Sequence, residues 1–295
     1  MPPTKLILAL GFCALLLTGS SKKSAAAVNS KHVRIGYIGL TCEAPIYVAF
    51  EKGFFKEEGL EPELVKCAWA NYKDNLALGS YDITHHLVMY FLKPIEQGLD
   101  VRFLAGIHRG CLRVQAGEKT DIRTIEDLKG KRIGVYSMES GTRHNLRIIL
   151  RAAGMDEADV EVIPTGILNF APLMQGQVDA TAATDTGLWA AQQKGLGEVN
   201  VLWARDHLNT PTDVFIVTAA FYQTRQDMLR HFLTAYKRGT QWMLDRPEEA
   251  AQLAMKHALD GKDPQRNLEI IKIRNAATVN ADTQQHGLGW FNLNL

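Results

Sequence analysis

Cysteine and histidine recur behind short apolar runs in the first part of the chain. Thr41-Cys42-Glu43, Cys67-Ala68-Trp69 and Thr84-His85-His86 each follow one such run, and His108 and Cys111 follow a fourth. If these runs are strands of an α/β sheet, their carboxyl ends share one edge, and open sheets bind ligands at that edge. Thiols and imidazoles converging there would suit zinc, copper(I) or mercury better than a hard cation. On this reading Cys42, Cys67, His85 and Cys111 are the candidate metal ligands. The competing reading is structural: small buried cysteines, two of them joined as a disulfide. The spacing contains no C-x-x-C chelate, and adjacent His85 and His86 point to opposite sides if the strand runs through them.

A second constellation has different chemistry. Ser140-Gly141-Thr142 opens a helix, where free N–H groups and the helix dipole favour an anion, although Ser and Thr also serve as plain caps. Arg143 could add a charge-assisted contact there or stay solvated. Thr184-Asp185 ends a strand of the same region, where the acid would receive a ligand cation or cap the next helix. Trp69 is placed to act as an aromatic plate or to fill core.

The elements that must position these groups alternate. Val33 to Ile38 reads as a strand, Pro45 to Phe50 as a helix stopped by Gly53, and Leu64 to Lys66 as a second strand. Tyr81 to Thr84, Val101 to Leu104 and Cys111 to Ala116 follow as strands, the last alternating as a half-exposed strand does. A second series comprises Arg132 to Val135, a helix from Arg143 to Ala153, then Val160 to Ile163, Ala180 to Thr184 and Val199 to Trp203. Val214 to Val217 is one more strand, and helices complete the chain. Such alternation argues a mostly parallel sheet. Polar breaks at 117–121 and 206–213 divide the chain into a discontinuous first lobe, 33–117 with 214–295, and an inserted second lobe, 118–213. Two crossings make a hinge and leave a cleft between the lobes as the ligand site.

Bulk properties narrow the partner. A net charge of +1 gives no electrostatic reason for nucleic acid or an anionic membrane. Residues 1–27 read as a signal peptide, with Lys5 ahead of an apolar run from Leu6 to Leu17 and Ala25-Ala26-Ala27 as the cleavage site. Ser20 stands where a lipoprotein signal would carry its acylated cysteine, so simple export to the periplasm or another extracytoplasmic space is expected. Export removes Cys13 and leaves an odd number of thiols, Cys42, Cys67 and Cys111, in an oxidising compartment.

The ordered segments APIYVAFEKGFFKEEGL, LALGSYDI, TIEDLKGKRIGV, LMQGQVDATAATD and VFIVTAAFYQTRQDMLRHFLTAYKRG resemble the nitrate/sulfonate/taurine family of ABC-importer substrate-binding proteins, which includes thiamine-precursor binders. The likeness runs from about Val33 to Lys256, whereas Gly287 to Leu295 does not look like the family's closing helices. It implies a two-lobed periplasmic-binding-protein type II fold with mixed, mostly parallel sheets. It also implies a monomer that closes on a small molecule, such as a sulfonate- or nitrate-like anion or a related organic solute, and hands it to a permease with its ATPase. The resemblance implies no cofactor and no catalysis. The strand ends and the helix start named above supply the candidate cleft residues, Thr41, Cys42, Glu43, Cys67, Trp69, His85, His108, Cys111, Ser140, Gly141, Thr142, Thr184 and Asp185. Alternatives are a soft-metal binder, an enzyme like the fungal thiamine-pyrimidine synthases, which share the fold, and a sensor subunit.

Overall fold

The computed structural model describes residues 31–290 other than 69–70, 111, 117–119, 139, 167–169, 185–186, 188–199, 204–212 and 260–262. Residues 1–27, the expected signal, lie outside the described residues, as do Trp69, Cys111 and Asp185. Among the described residues no helix is long and apolar enough to cross a membrane.

The chain opens with β1 (His32–Tyr37), a single 3-10 turn at Thr41–Glu43, α1 (Ala44–Glu51), α2 (Phe54–Glu57) and β2 (Glu61–Lys66). Next come α3 (Tyr72–Ala77), β3 (Ile83–Leu87), α4 (Met89–Glu96) and β4 (Val101–His108). β5 (Leu112–Ala116), β6 (Arg132–Val135), α5 (Gly141–Ala152), β7 (Glu161–Pro164), α6 (Phe170–Met174), β8 (Ala180–Thr184) and β9 (Asn200–Trp203) form the middle of the chain. It ends with β10 (Asp213–Thr218), α7 (Ala219–Thr224), α8 (Gln226–Asp245), α9 (Pro247–Ala254), α10 (Pro264–Thr278) and α11 (Ala281–His286).

The strands form two five-stranded sheets, ordered β2-β1-β3-β10-β4 and β7-β6-β8-β5-β9. In each sheet two pairings are parallel and two antiparallel, because β10 in the first and β5 in the second run against their neighbours. β5 therefore belongs to the second sheet, not to the first lobe whose boundary was drawn at residue 117. The chain leaves the first sheet after His108 and returns to it at Asp213. β5 is buried along its whole length rather than half exposed, since β8 and β9 flank it and helix α5 packs on it.

The two halves repeat one locking device. Arg34-Ile35-Gly36 lies in the middle of β1, and the Arg34 guanidinium and backbone N–H donate to Asp82 at 2.7–3.2 Å. Arg132-Ile133-Gly134 opens β6, and Arg132 grips Asp179 in the same three-contact manner, at 2.8–3.2 Å. In both cases a glycine three residues before the aspartate, Gly79 or Gly176, turns left-handed, at φ 70° and 68°. That explains why LALGSYDI and LMQGQVDA read alike.

The face of the first sheet carrying Ile35, Tyr37, Phe215 and Val217 packs under α1, α8 and α9. α1 and α8 approach closely because Gly239 has no side chain; a Cβ there would stand 2.5 Å from the Pro45 carbonyl. The opposite face, with Cys67, Val214 and Ile216, packs under α3 and α4. The second sheet packs α5 through Leu146, Ile149 and Leu150. Between the sheets, Leu87 and Met89 meet Leu112, with Tyr90 and Ile148 beside them.

Candidate functional site

The turn after β1 folds around one carboxylate. Glu43 is 2 % exposed and accepts the backbone N–H groups of Ile38, Gly39 and Leu40 at 2.6–2.9 Å. The Tyr47 hydroxyl also donates to it, at 2.8 Å. A buried ion this well supplied with donors keeps its charge. Its other oxygen takes Nε2–H of His85 at 2.7 Å. On the far side of the ring, His85 Nδ1–H donates to Asp213 at 3.0 Å, and His108 Nε2 lies 3.5 Å from that same Asp213 oxygen.

His85 is thus an imidazolium clamped between two carboxylates. Burial alone would lower its pKa, but the charge and hydrogen bond of Asp213, then those of Glu43, push it up to about 10. Burial works against the Asp213 carboxylate too, and the charge of His85 with the bonds from His108 and His85 hold it well below the ordinary range. For Glu43, burial is again outweighed, by His85 and the backbone donors.

This geometry changes the meaning of the predicted shell. His85 and His86 lie inside β3, not behind it, because β10 pairs alongside them from Asp213 to Ile216. As adjacent strand residues they face opposite ways: His85 toward Phe215, His86 into the edges of Tyr72 and Tyr90 at 4.6 and 4.7 Å. Both His85 nitrogens are spent on carboxylates, so the ring has no lone pair for a metal. Among the described residues no group of three His, Cys, Asp or Glu side chains could hold an ion. Cys42 and Cys67 are not joined to each other as a disulfide. Cys67 is buried beside Tyr72 and Leu76, its sulfur accepting from Asn75 at 3.0 Å. Cys42 is half-buried, and its carbonyl receives Arg274. Thr41 is buried and donates to Asn267 at 3.1 Å, joining the turn to α10.

The second constellation caps a helix. Ser140 Oγ accepts the Arg143 N–H, donates to the Ser137 carbonyl at 2.6 Å and meets Thr142 Oγ1 at 2.8 Å. Thr142 takes the Tyr136 N–H, and the Tyr136 hydroxyl bonds Thr184 at 3.2 Å. Arg143 is paired with Glu157 of its own half. A second frontal donor, Gly141 N–H, goes to the hydroxyl of Tyr90, which reaches over from α4 under the first sheet. A Cβ at 141 would lie 2.6 Å from the Tyr90 ring, so any larger residue there would displace the ring.

No local sequence pattern marks Asp213, Tyr90 or Tyr72 as part of this site. Asp213 closes a polar break, and only the register of β10, which sets it opposite His108 and Leu87, reveals its place. A groove of about 280 Å³ between β4, α8 and residues 288–289 is lined by Leu104, Ile107, Leu233 and Lys237, none of them a member of the charge network.

An α/β chain of two mixed sheets, joined by two crossings, with aromatic and polar side chains between them, has the architecture of periplasmic binding proteins. The aliphatic sulphonate-binding protein SsuA of Escherichia coli superposes with a TM-score of 0.72 at 19% identity, over 85% of this chain and 87% of that one. Residues 41–250 match the family described as NMT1/THI5 like, and the chain belongs to it. Relatives include the riboflavin-binding protein RibY of Chloroflexus aurantiacus, 27% identical over 84% of this chain and 72% of that protein. The formylaminopyrimidine-binding protein of Halalkalibacterium halodurans is 25% identical over 85% and 77%. The relatives are mostly named as binding proteins, but one from Saccharomyces cerevisiae, 23% identical over 70% and 64%, is named a pyrimidine phosphate synthase.

Proposed function

We propose that this chain is the extracytoplasmic solute-binding subunit of an ABC importer, and that its solute is a planar, largely uncharged heterocycle rather than a small oxyanion. The observation that carries the choice of ligand is the Tyr90 hydroxyl on Gly141 N–H, which occupies the leading N–H group of the helix N-terminus that an anion would use. Around it, Tyr72, His86 and Tyr90 pack edge to face. Burial pushes the His86 pKa down to about 4, so the ring is neutral at physiological pH and adds no cation for an anion to meet. Relatives named for riboflavin and for a formylaminopyrimidine fit this reading, while relatives named for nitrate and nitrite make the anion arm of the test necessary.

On this reading the first lobe holds the β2-β1-β3-β10-β4 sheet and the second the β7-β6-β8-β5-β9 sheet. The lobes close on the solute by shifting an open–closed equilibrium, with no bond made or broken. A monomer then presents the closed form to a permease and its ATPase, and binding without turnover separates it from the synthase named in yeast.

The test is calorimetry on the purified mature chain with riboflavin, 4-amino-2-methylpyrimidine, nitrate and methanesulfonate. A heterocycle binding in the micromolar range or tighter, with the anions silent, is expected. Saturable binding of nitrate or methanesulfonate alone would overturn the ligand assignment.

A further inference from the structure

One side chain between the sheets is chemically unfinished. Asn145 is wholly buried, yet neither its amide nitrogen nor its amide oxygen has a hydrogen-bond partner. Almost all buried polar atoms find partners, so such an amide calls for an explanation. Helix propensity supplies none, since Asn is unfavourable inside a helix, and the residues that follow, Leu146, Ile149 and Leu150, are apolar core.

Its position supplies one. Gly141, Asn145 and Ile148 fall on one face of α5 at helical spacing. The first touches Tyr90, and the last packs beside Leu87, Met89 and Leu112. Asn145 sits between two residues that both meet the first sheet's side, so it belongs to the surface on which the halves face each other. His144, beside it in sequence, lies 6.3 Å from the Tyr90 ring.

We infer that Asn145 is a specificity-determining residue of the cleft, reading the hydrogen-bonding edge of the solute. A carboxamide presents one acceptor and two donors in a plane. It therefore matches a ring edge that carries a donor next to an acceptor, as an aminopyrimidine or a cyclic amide does. A sulfonate or nitrate has acceptors only and would leave the Asn145 oxygen unpaired. The unsatisfied amide discriminates sharply, because a solute lacking either partner leaves a buried polar atom bare. This inference rests on the heterocycle reading and adds to it the residue that selects the ring.

The experiment compares wild type, Asn145→Leu and Asn145→Asp by calorimetry against riboflavin, 4-amino-2-methylpyrimidine and methanesulfonate, with thermal melts of each ligand-free chain. Leu keeps the branched skeleton, with somewhat more bulk, and removes both polar atoms. Its melt should equal or exceed wild type, while affinity for the heterocycle that wild type binds falls roughly 30-fold, as for two lost hydrogen bonds. Asp keeps the shape and removes the donors, and should lose that heterocycle too. Unchanged heterocycle affinity in Asn145→Leu would overturn the role of Asn145 alone. Wild-type binding of methanesulfonate with no heterocycle response would overturn both this inference and the ligand assignment beneath it.

Discussion

Replacing His85 by Gln should flatten the alkaline limb of the stability curve. In the folded chain the His85 pKa stands at about 10, against an ordinary value of 6.5, because Asp213 and Glu43 hold its proton. Folding therefore retains a proton that the unfolded chain releases above about pH 6.5. The resulting stabilisation is complete below pH 6.5 and is lost as pH rises toward 10. At about 1.4 kcal/mol per pH unit, the loss across that window is on the order of 5 kcal/mol. On the acid side, burial lowers the His86 pKa to about 4, so stability also declines as pH falls from 6.5. Glu43 and Asp213, held below the ordinary carboxylate range, add a further acid loss. Urea titrations at half-unit steps from pH 6 to 10 read the difference between wild type and variant. Near pH 6.5 the variant should be about 3–5 kcal/mol less stable, since it leaves two buried carboxylates without their shared cation. That gap should narrow steadily and nearly close by pH 10. Parallel curves, with a constant gap, would refute the doubly clamped imidazolium.

Gly239→Ala should destabilise by about 2–3 kcal/mol in chemical denaturation, since the new methyl group meets the Pro45 carbonyl and Ala49 and forces α1 from α8. Asp82→Ala and Asp179→Ala should each cost about 2 kcal/mol, and similar amounts, because each strips a guanidinium and a backbone N–H of the same bonds. Unequal losses, one near zero, would show that the two grips do not do the same work. Tyr90→Phe should lower stability by about 1 kcal/mol and let sulfate raise the melting temperature more than it does in wild type, because Gly141 N–H is released. An identical sulfate response would place the anion-excluding group elsewhere.

The alternation of strands and helices was legible because each segment carries its own period and its own stop. The positions of Glu43, His85 and His108 were legible too, as polar residues near strand ends. Their role was not. Residue types show that a histidine can ligate a metal; they do not show that both of its nitrogens are already occupied. The occupant on one side, Asp213, arrives through β10, an antiparallel strand inserted between β3 and β4 from more than a hundred residues downstream. No local pattern announces such a pairing. The repeated grips were in plain view, as R-I-G followed 47 or 48 residues later by an aspartate, itself three residues behind a glycine. Asn145 also left a trace, as a polar residue on an apolar helical stripe, but its spacing from Gly141 acquires meaning only when Tyr90 is seen against that glycine.

Why charge is buried at this point follows from where the chain crosses between sheets. It leaves the first sheet from His108 and re-enters it at Asp213, and these two residues are register partners. Asp213 is tied through His85 to Glu43, and Glu43 ties down the turn after β1. One connected set of ions therefore fixes the departure strand, the return strand and the Thr41–Glu43 turn relative to one another. Apolar side chains of equal volume would give comparable stability at less desolvation cost. They would not fix direction, because packing tolerates small slides that a 2.7 Å charged bond does not. If the second sheet moves against the first, the network gives that motion a rigid base. Closure driven by the solute would then act on the crossings rather than dissipate within the first sheet.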